Sequence, residues 1–304
     1  MILILQRALR ACQCTFHRCI PALLLAGVFI MTSCSGNDQS TAETELTGDS
    51  WEHIRDYGSG TLTILYVPSG GFAYRDNSDD LTGTTIEILR SFVSWAEETY
   101  DVEIETTFIP EEEWQQFYNR VADAGDGVIG TGNVTITESR RDEVQFSPPY
   151  LNNIAVLISH EDRPELNSME VIPEIFADQT GLMYPGTLHG ERMQYLRDEY
   201  FPEMPYDTVR SNSDIMQKMA EGDRYFTYVD VYNYVSGLND GVPLKRHQAG
   251  DDEDEQFGFI MPLESDWGDP LDSFFDHNDG FLQSDTYREI IREHLGEEMM
   301  EILR

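Results

Sequence analysis

Thr135-Ile-Thr-Glu-Ser-Arg-Arg-Asp-Glu-Val-Gln-Phe-Ser-Pro-Pro-Tyr150 is the stretch on which the reading of this chain turns. It follows Val128–Gly132, an apolar, glycine-rich run that predicts a short buried strand. Two threonine hydroxyls and exposed backbone amides next to a guanidinium make an anion receptor. Arginine holds a carboxylate by two parallel hydrogen bonds, a geometry lysine cannot copy. The competing reading is a surface Arg140 paired with nearby acids, and the chain carries 56 of them.

Working outward, strand and helix patterns alternate on both sides. Upstream, Leu62–Val67 and Val102–Phe108 predict strands, and Ile86–Tyr100 and Glu112–Ala124 predict helices with apolar residues at helical spacing. Thr84 and Glu87 fit a capping box. Downstream, strands are expected at 154–159, 181–184, 225–229 and 257–261. Helices are expected at 188–200, 213–221 and 231–238, with two more near 271–275 and 286–303. This alternation means an α/β fold with mostly parallel sheets. The acidic run 250–256 predicts a solvated loop. As a calcium site it lacks the spaced ligands such a site needs, so no metal is expected.

Composition removes several functions. Net charge is −36 and only two lysines occur, Lys218 and Lys245. No basic patch is read in the sequence, so nucleic acid is disfavoured as a partner. Such charge repels itself unless screened, and a salty setting is expected. All four cysteines (Cys12, Cys14, Cys19, Cys34) lie at or before residue 34, so the remainder has no disulfide and no thiolate metal site. Arg7, Arg10 and Arg18 precede a short apolar run that ends at Met31-Thr32-Ser33-Cys34, the layout of a signal peptide. Its end resembles the lipobox of bacterial lipoproteins, with Met31 where Leu is usual, which would make Cys34 the lipidated N-terminus. An ordinary signal peptide with an incidental cysteine is the alternative. Residues 35–50 are polar and free of aromatics, as in a flexible tether.

The central stretch resembles the bacterial extracellular solute-binding proteins of family 3, which serve ABC importers of polar amino acids. The family pattern T-[IV]-T-x-x-R, then F-[ST]-x-x-Y, matches at Thr135, Thr137, Arg140, Phe146, Ser147 and Tyr150. The resemblance implies that Arg140 grips a ligand α-carboxylate, with Asn133 and Thr135 also in contact. A glycine, a short strand and an aspartate match at Gly222 and Asp230, which implies that Asp230 binds the α-ammonium. Read without the family, Asp230 is equally an N-cap of the next helix. Tyr184-Pro-Gly-Thr-Leu-His189 resembles a turn whose amides, here at Thr187 and Leu188, meet the carboxylate. Gly83–Ile88, Trp114 and Phe257-Gly-Phe-Ile are weaker matches. There is one clear departure. With Phe72 as the family's P-F phenylalanine, the ligand-stacking aromatic position holds Ser69, followed by Gly70-Gly71. Phe72 and Tyr74 are the substitute rings, although both residue types are more often core.

The resemblance implies a type II, two-lobed periplasmic-binding-protein-like fold, each lobe a mostly parallel sheet flanked by helices. The expected layout is a lipoprotein signal peptide over 1–33 and a tether over 34–57. Lobe 1 comprises 58–150 plus 256–304, and lobe 2 comprises 151–255. Hinges are expected near 149–153 and 250–256. Function follows as capture of a small amino-acid-like solute outside the cytoplasm, with an ABC permease as partner, a lipid anchor in the membrane and no cofactor. Because the two charge partners sit on different lobes, the ligand favours the closed state. One rival is an enzyme on this fold, a dehydratase or lyase, with His189 and Glu191 as the candidate acid–base groups. A second is a ligand sensor docking on a receptor. A wall-cleaving enzyme with a similar leading module would need a second catalytic domain, which is not read in these residues.

Overall fold

Leu62, Ile64 and Leu65 are fully buried, the pattern of a central strand covered on both faces. The computed structural model describes residues 46–302. The expected signal peptide, the lipid site at Cys34 and the first part of the expected tether lie outside the described residues.

The strand Ser59–Tyr66 runs parallel to Glu103–Pro110 on one side and Val128–Thr135 on the other. Helices Thr84–Tyr100 and Trp114–Ala122 make the crossovers. Downstream, Thr180–Met183 pairs in parallel with Tyr206–Thr208 and with Tyr225–Asp230. Helices Leu188–Glu199 and Asn212–Ala220 connect these strands. Two long strands, Leu151–His160 and Asp252–Met261, stand antiparallel between the two parallel sets. They complete a single ten-stranded sheet. Each set is thus a small α/β half, and the chain crosses between them twice, as in a two-lobed binding fold of type II. Residues 151–153 and 252–256 of the expected crossing segments lie on this antiparallel ribbon, where Glu255 is opposite Asn153 and Phe257 opposite Leu151.

Three expectations need correction. The tether over 34–57 is ordered from residue 46 onward. Trp51–Tyr57 is a helix capped by Ser50, and Leu46, Trp51 and Ile54 are buried. Three apolar residues spaced through a polar segment suffice to dock it, and the Asp266 carboxylate accepts from the Trp51 and Glu52 amides. The acidic run is not a loop. Asp252–Gln256 is strand, with Glu255 turned inward at 5% exposure and its neighbours outward. A register shift between Asp252 and Glu255 leaves three successive acids solvated while Glu255 is buried. Among the described residues no cluster could hold a metal ion. The capping box at Thr84 also does not form. The helix Thr84–Tyr100 begins after Gly83, and the Thr84 and Thr85 hydroxyls donate instead to the carbonyls of Gly71 and Phe72. Those two bonds fix the loop Ser69–Ala73 over the end of the helix.

Candidate functional site

Arg140 starts a single 3₁₀ turn, Arg140–Asp142. The Thr137 hydroxyl accepts from the Arg140 amide at 3.2 Å and so sets where the turn begins. The next residues lock the turn in place. Ser147 exchanges hydrogen bonds with Phe259 in the second crossing strand, and Tyr150 is fully buried and stacked on Phe259 at 4.6 Å. The Tyr150 hydroxyl donates to Asn133 Oδ1 at 3.2 Å. That bond holds Asn133 in a left-handed conformation, φ 52°, which asparagine tolerates better than most residues.

The guanidinium of Arg140 donates to the Thr135 carbonyl at 3.2 Å. It lies over the rings of Trp114, 5.0 Å from the centroid, and Tyr118, 5.6 Å. Trp114 is itself held by a bond from Nε1 to the Gly132 carbonyl. Arg140 is only 9% exposed, and among the described residues no carboxylate lies within ion-pair range of it. Burial pulls its pKa below the ordinary guanidinium value, opposed by Tyr118 and by the carboxylates of Glu191, Glu255 and Glu143. Arginine stays charged under any such shift. A desolvated cation without a counterion needs an anion from elsewhere.

Asp230 ends the strand Tyr225–Asp230 in the other half. It stands at the N-cap position of the helix Val231–Asn239, yet its side chain makes no capping bond. Its Oδ1 instead accepts from Asn153 Nδ2 at 2.7 Å and lies 3.0 Å from His189 Nε2. A carboxylate only accepts, so His189 carries its proton on Nε2 here. Asn153 also donates to Glu255 at 2.7 Å, and Arg192 holds Glu255 and Asp252. Asp230 is thereby tied to both crossing strands.

Arg140 and Asp230 line one cavity of about 320 Å³ between the halves. Asn133, Thr135, Ser69, Thr187 and Leu188 line it too. The Thr187 hydroxyl is occupied, since it caps its helix by accepting from the Gly190 amide and donates to the Tyr184 carbonyl. Phe72 is not in the lining. It is 2% exposed and packs edge-on against Tyr232 and Phe257, so its proposed ligand contact is withdrawn. Tyr74 is also outside the lining and meets His294. Glu191, one of the two acid–base candidates, is exposed and outside the cavity, whereas His189 lines it.

Tyr232, Tyr184, Asn212 and Glu112 line the cavity and were not singled out as site residues by the sequence. Tyr184 is buried, which pushes its phenol pKa up to about 12, so it serves as a neutral hydrogen-bonding ring. At two glycines the halves come into close contact. A Cβ on Gly71, φ 76°, would collide with the Tyr232 hydroxyl, and one on Gly186, φ 80°, with Gln115. In each pair the glycine and the side chain belong to opposite halves.

Comparison with known proteins agrees with this architecture. The family model described as bacterial extracellular solute-binding proteins, family 3, matches residues 63–297. A solved ancestral arginine-binding protein bound to arginine superposes with a TM-score of 0.61 at 16% identity, covering 78% of this chain and 98% of that one. A putative binding component of an ABC transporter from Wolinella succinogenes, complexed with lysine, gives 0.61 at 16% identity, covering 79% and 98%. These likenesses establish the fold. Among curated sequences, a membrane-bound lytic murein transglycosylase F of Pseudomonas putida is 20% identical over 216 residues, 70% of this chain. The chain spans 40% of the length of that relative.

Proposed function

The chain belongs to the bacterial extracellular solute-binding proteins of family 3, and from that premise we propose that its cleft captures a small zwitterion of the amino-acid type. The observation that carries this reading is the buried Arg140 guanidinium, which has no carboxylate partner among the described residues and shares a cavity with Asp230 of the opposite half. The ligand carboxylate lies on Arg140 and Thr135, near the Asn133 side chain and the Leu188 amide, whereas the Thr187 amide already donates to the Tyr184 carbonyl. Its ammonium lies on Asp230, whose Oδ2 has, among the described residues, only a 3.5 Å contact from Asn233. A volume of about 320 Å³ suits one such molecule. Each charge of the ligand replaces water with a fixed partner, so both halves are needed for full affinity.

The proposed role is delivery rather than chemistry. The loaded protein would hand its ligand to an ABC permease on the outer side of a membrane, held there by a lipid on Cys34. Neighbours of this fold that bind arginine or lysine support the ligand class. Thermal-shift screening against the amino acids and small carboxylates tests it. A true ligand at about 100 times its Kd adds about 2.7 kcal/mol of stability and raises the melting point. No shift with any zwitterion, in protein that melts cooperatively, would reject the reading.

One observation favours an enzyme instead. The His189–Asp230 pair borders the cavity at 3.0 Å and has the form of an acid–base group held by a carboxylate. Incubating each ligand found by the screen and looking for product by NMR separates the two. Recovery of unchanged ligand supports capture.

A further inference from the structure

Arg140 gives only part of its guanidinium to the protein. Nη1 donates to the Thr135 carbonyl. Nε and Nη2 make no hydrogen bond among the described residues, and both keep accessible surface. Arg140 lines the cavity, so that surface opens onto it. The opposite half brings the start of a helix to the same cavity. Thr187, Leu188 and His189 line it, and they are the cap and first two residues of the twelve-residue helix Leu188–Glu199. The Thr187 amide is taken by the Tyr184 carbonyl and the Gly190 amide by the Thr187 hydroxyl. The Leu188 and His189 amides have no acceptor among the described residues. A helix start carries about half a positive charge. Acids share the space. Asp230, Glu112 and Asp240 line the cavity, and Glu143, Glu191 and Glu255 act on Arg140 from beyond ion-pair range.

We propose that, with no solute bound, Arg140 and the amides of Leu188 and His189 hold one small monovalent anion, of which chloride is the type, and that the solute carboxylate displaces it. The proposal rests on the solute-capture reading and adds its regulation. A guanidinium at 9% exposure has lost most of its water, and an anion restores the lost interaction. Charge and hydration set the class. A divalent anion would meet Asp230, Glu112 and Asp240 with twice the repulsion. Fluoride, smaller than chloride, holds its water too firmly to enter a site of this kind. A single atom on Arg140 leaves Asp230 with its own donors, Asn153 and His189. Uptake of solute is then an exchange of anions, and the surrounding chloride sets how tightly the solute is held. In the salty setting that a net charge of −36 leads one to expect, chloride is a standing competitor.

Chloride NMR on the full chain tests this. Solute-free protein should broaden the chloride line, and each amino acid that raises the melting point in the thermal screen should narrow it again. Arg140→Gln should remove most of the broadening. Calorimetry on the wild type gives a second reading that needs no variant. At constant ionic strength, replacing sodium fluoride by sodium chloride, from about 0.05 to about 0.5 M chloride, should weaken the same amino acid by about threefold to tenfold through competition. No broadening, broadening that Arg140→Gln leaves untouched, or an affinity indifferent to the exchange of fluoride for chloride would overturn the anion site and leave solute capture standing. Broadening that Arg140→Gln removes but no amino acid reverses, together with a thermal screen without a shift, would uphold the anion at Arg140 and overturn solute capture.

Discussion

The two walls of the cleft hold opposite charges by opposite means. On the Arg140 wall the cation is propped by aromatic faces and one carbonyl, with no carboxylate within ion-pair range among the described residues. On the Asp230 wall the anion is already bonded to Asn153 and His189 and, through Asn153, to Glu255 and Arg192. The first wall is incomplete without a ligand, and the second is woven into the strands that join the halves. On the proposed capture reading, a ligand anion completes the first wall and a ligand cation meets a group already tied to the joining ribbon.

The largest expected effect breaks the first wall. Arg140→Ala should weaken binding of any ligand found by screening by two to four decades, about 3–5 kcal/mol, read by calorimetry. Affinity equal to wild type would remove Arg140 from the site and abolish the contrast. Next in size is an effect confined to the second half. His247 is fully buried there, with Nε2 on the Ser159 hydroxyl and Nδ1 accepting from the Leu166 amide. Burial, aided by Lys245, lowers its pKa from 6.5 to about 4. The unfolded chain takes up a proton near pH 6.5 and the folded chain does not until about pH 4, so this stability is complete above pH 6.5 and is lost between those values. The loss should be about 3 kcal/mol. Urea unfolding at pH 7.5 and at pH 4.5 measures it, and His247→Gln should flatten the difference relative to wild type.

Asn153→Ala sharpens the comparison. It removes the donor shared by two buried carboxylates, and should lower both stability and affinity by about 2 kcal/mol, since hydrogen bonds to charged groups are worth about 1.5–3 kcal/mol. Loss of affinity with stability intact would mean that the bond serves only to aim Asp230. The smallest effect belongs to neither wall. With a net charge of −36, the melting point should rise as sodium chloride goes from low to molar concentration, because screening relieves self-repulsion. A flat or falling response would end that expectation.

Much of this was legible in the sequence because it was local. The threonines, Arg140 and Tyr150 lie in one 16-residue stretch, and strand–helix alternation around them leaves few folds to choose from. Asp230 could be placed at a strand end, but only the structure separates cleft anion from N-cap, since the two roles share one backbone position and differ in which donors its oxygens find. The substitute for the ring missing at Ser69 was sought among its neighbours, Phe72 and Tyr74. Neither lines the cavity, whereas Tyr232 does, and its approach depends on how the halves face each other and leaves no spacing signal. A trace was present, since Gly70-Gly71 marks a backbone that something approaches closely. The acidic run failed as a loop because three successive exposed acids at a register shift hide the strand.

The helix at Trp51 bears on how this molecule answers a pull. The Trp51 ring lies 5.4 Å from that of Trp267, Trp267 donates to the Asp49 carbonyl, and Asp266 grips the start of the helix. Tension entering at residue 46 is therefore spread into a segment more than two hundred positions away before it can reach the ribbon at 151–155. A load applied at residue 46 would therefore meet the packing around Trp267 first.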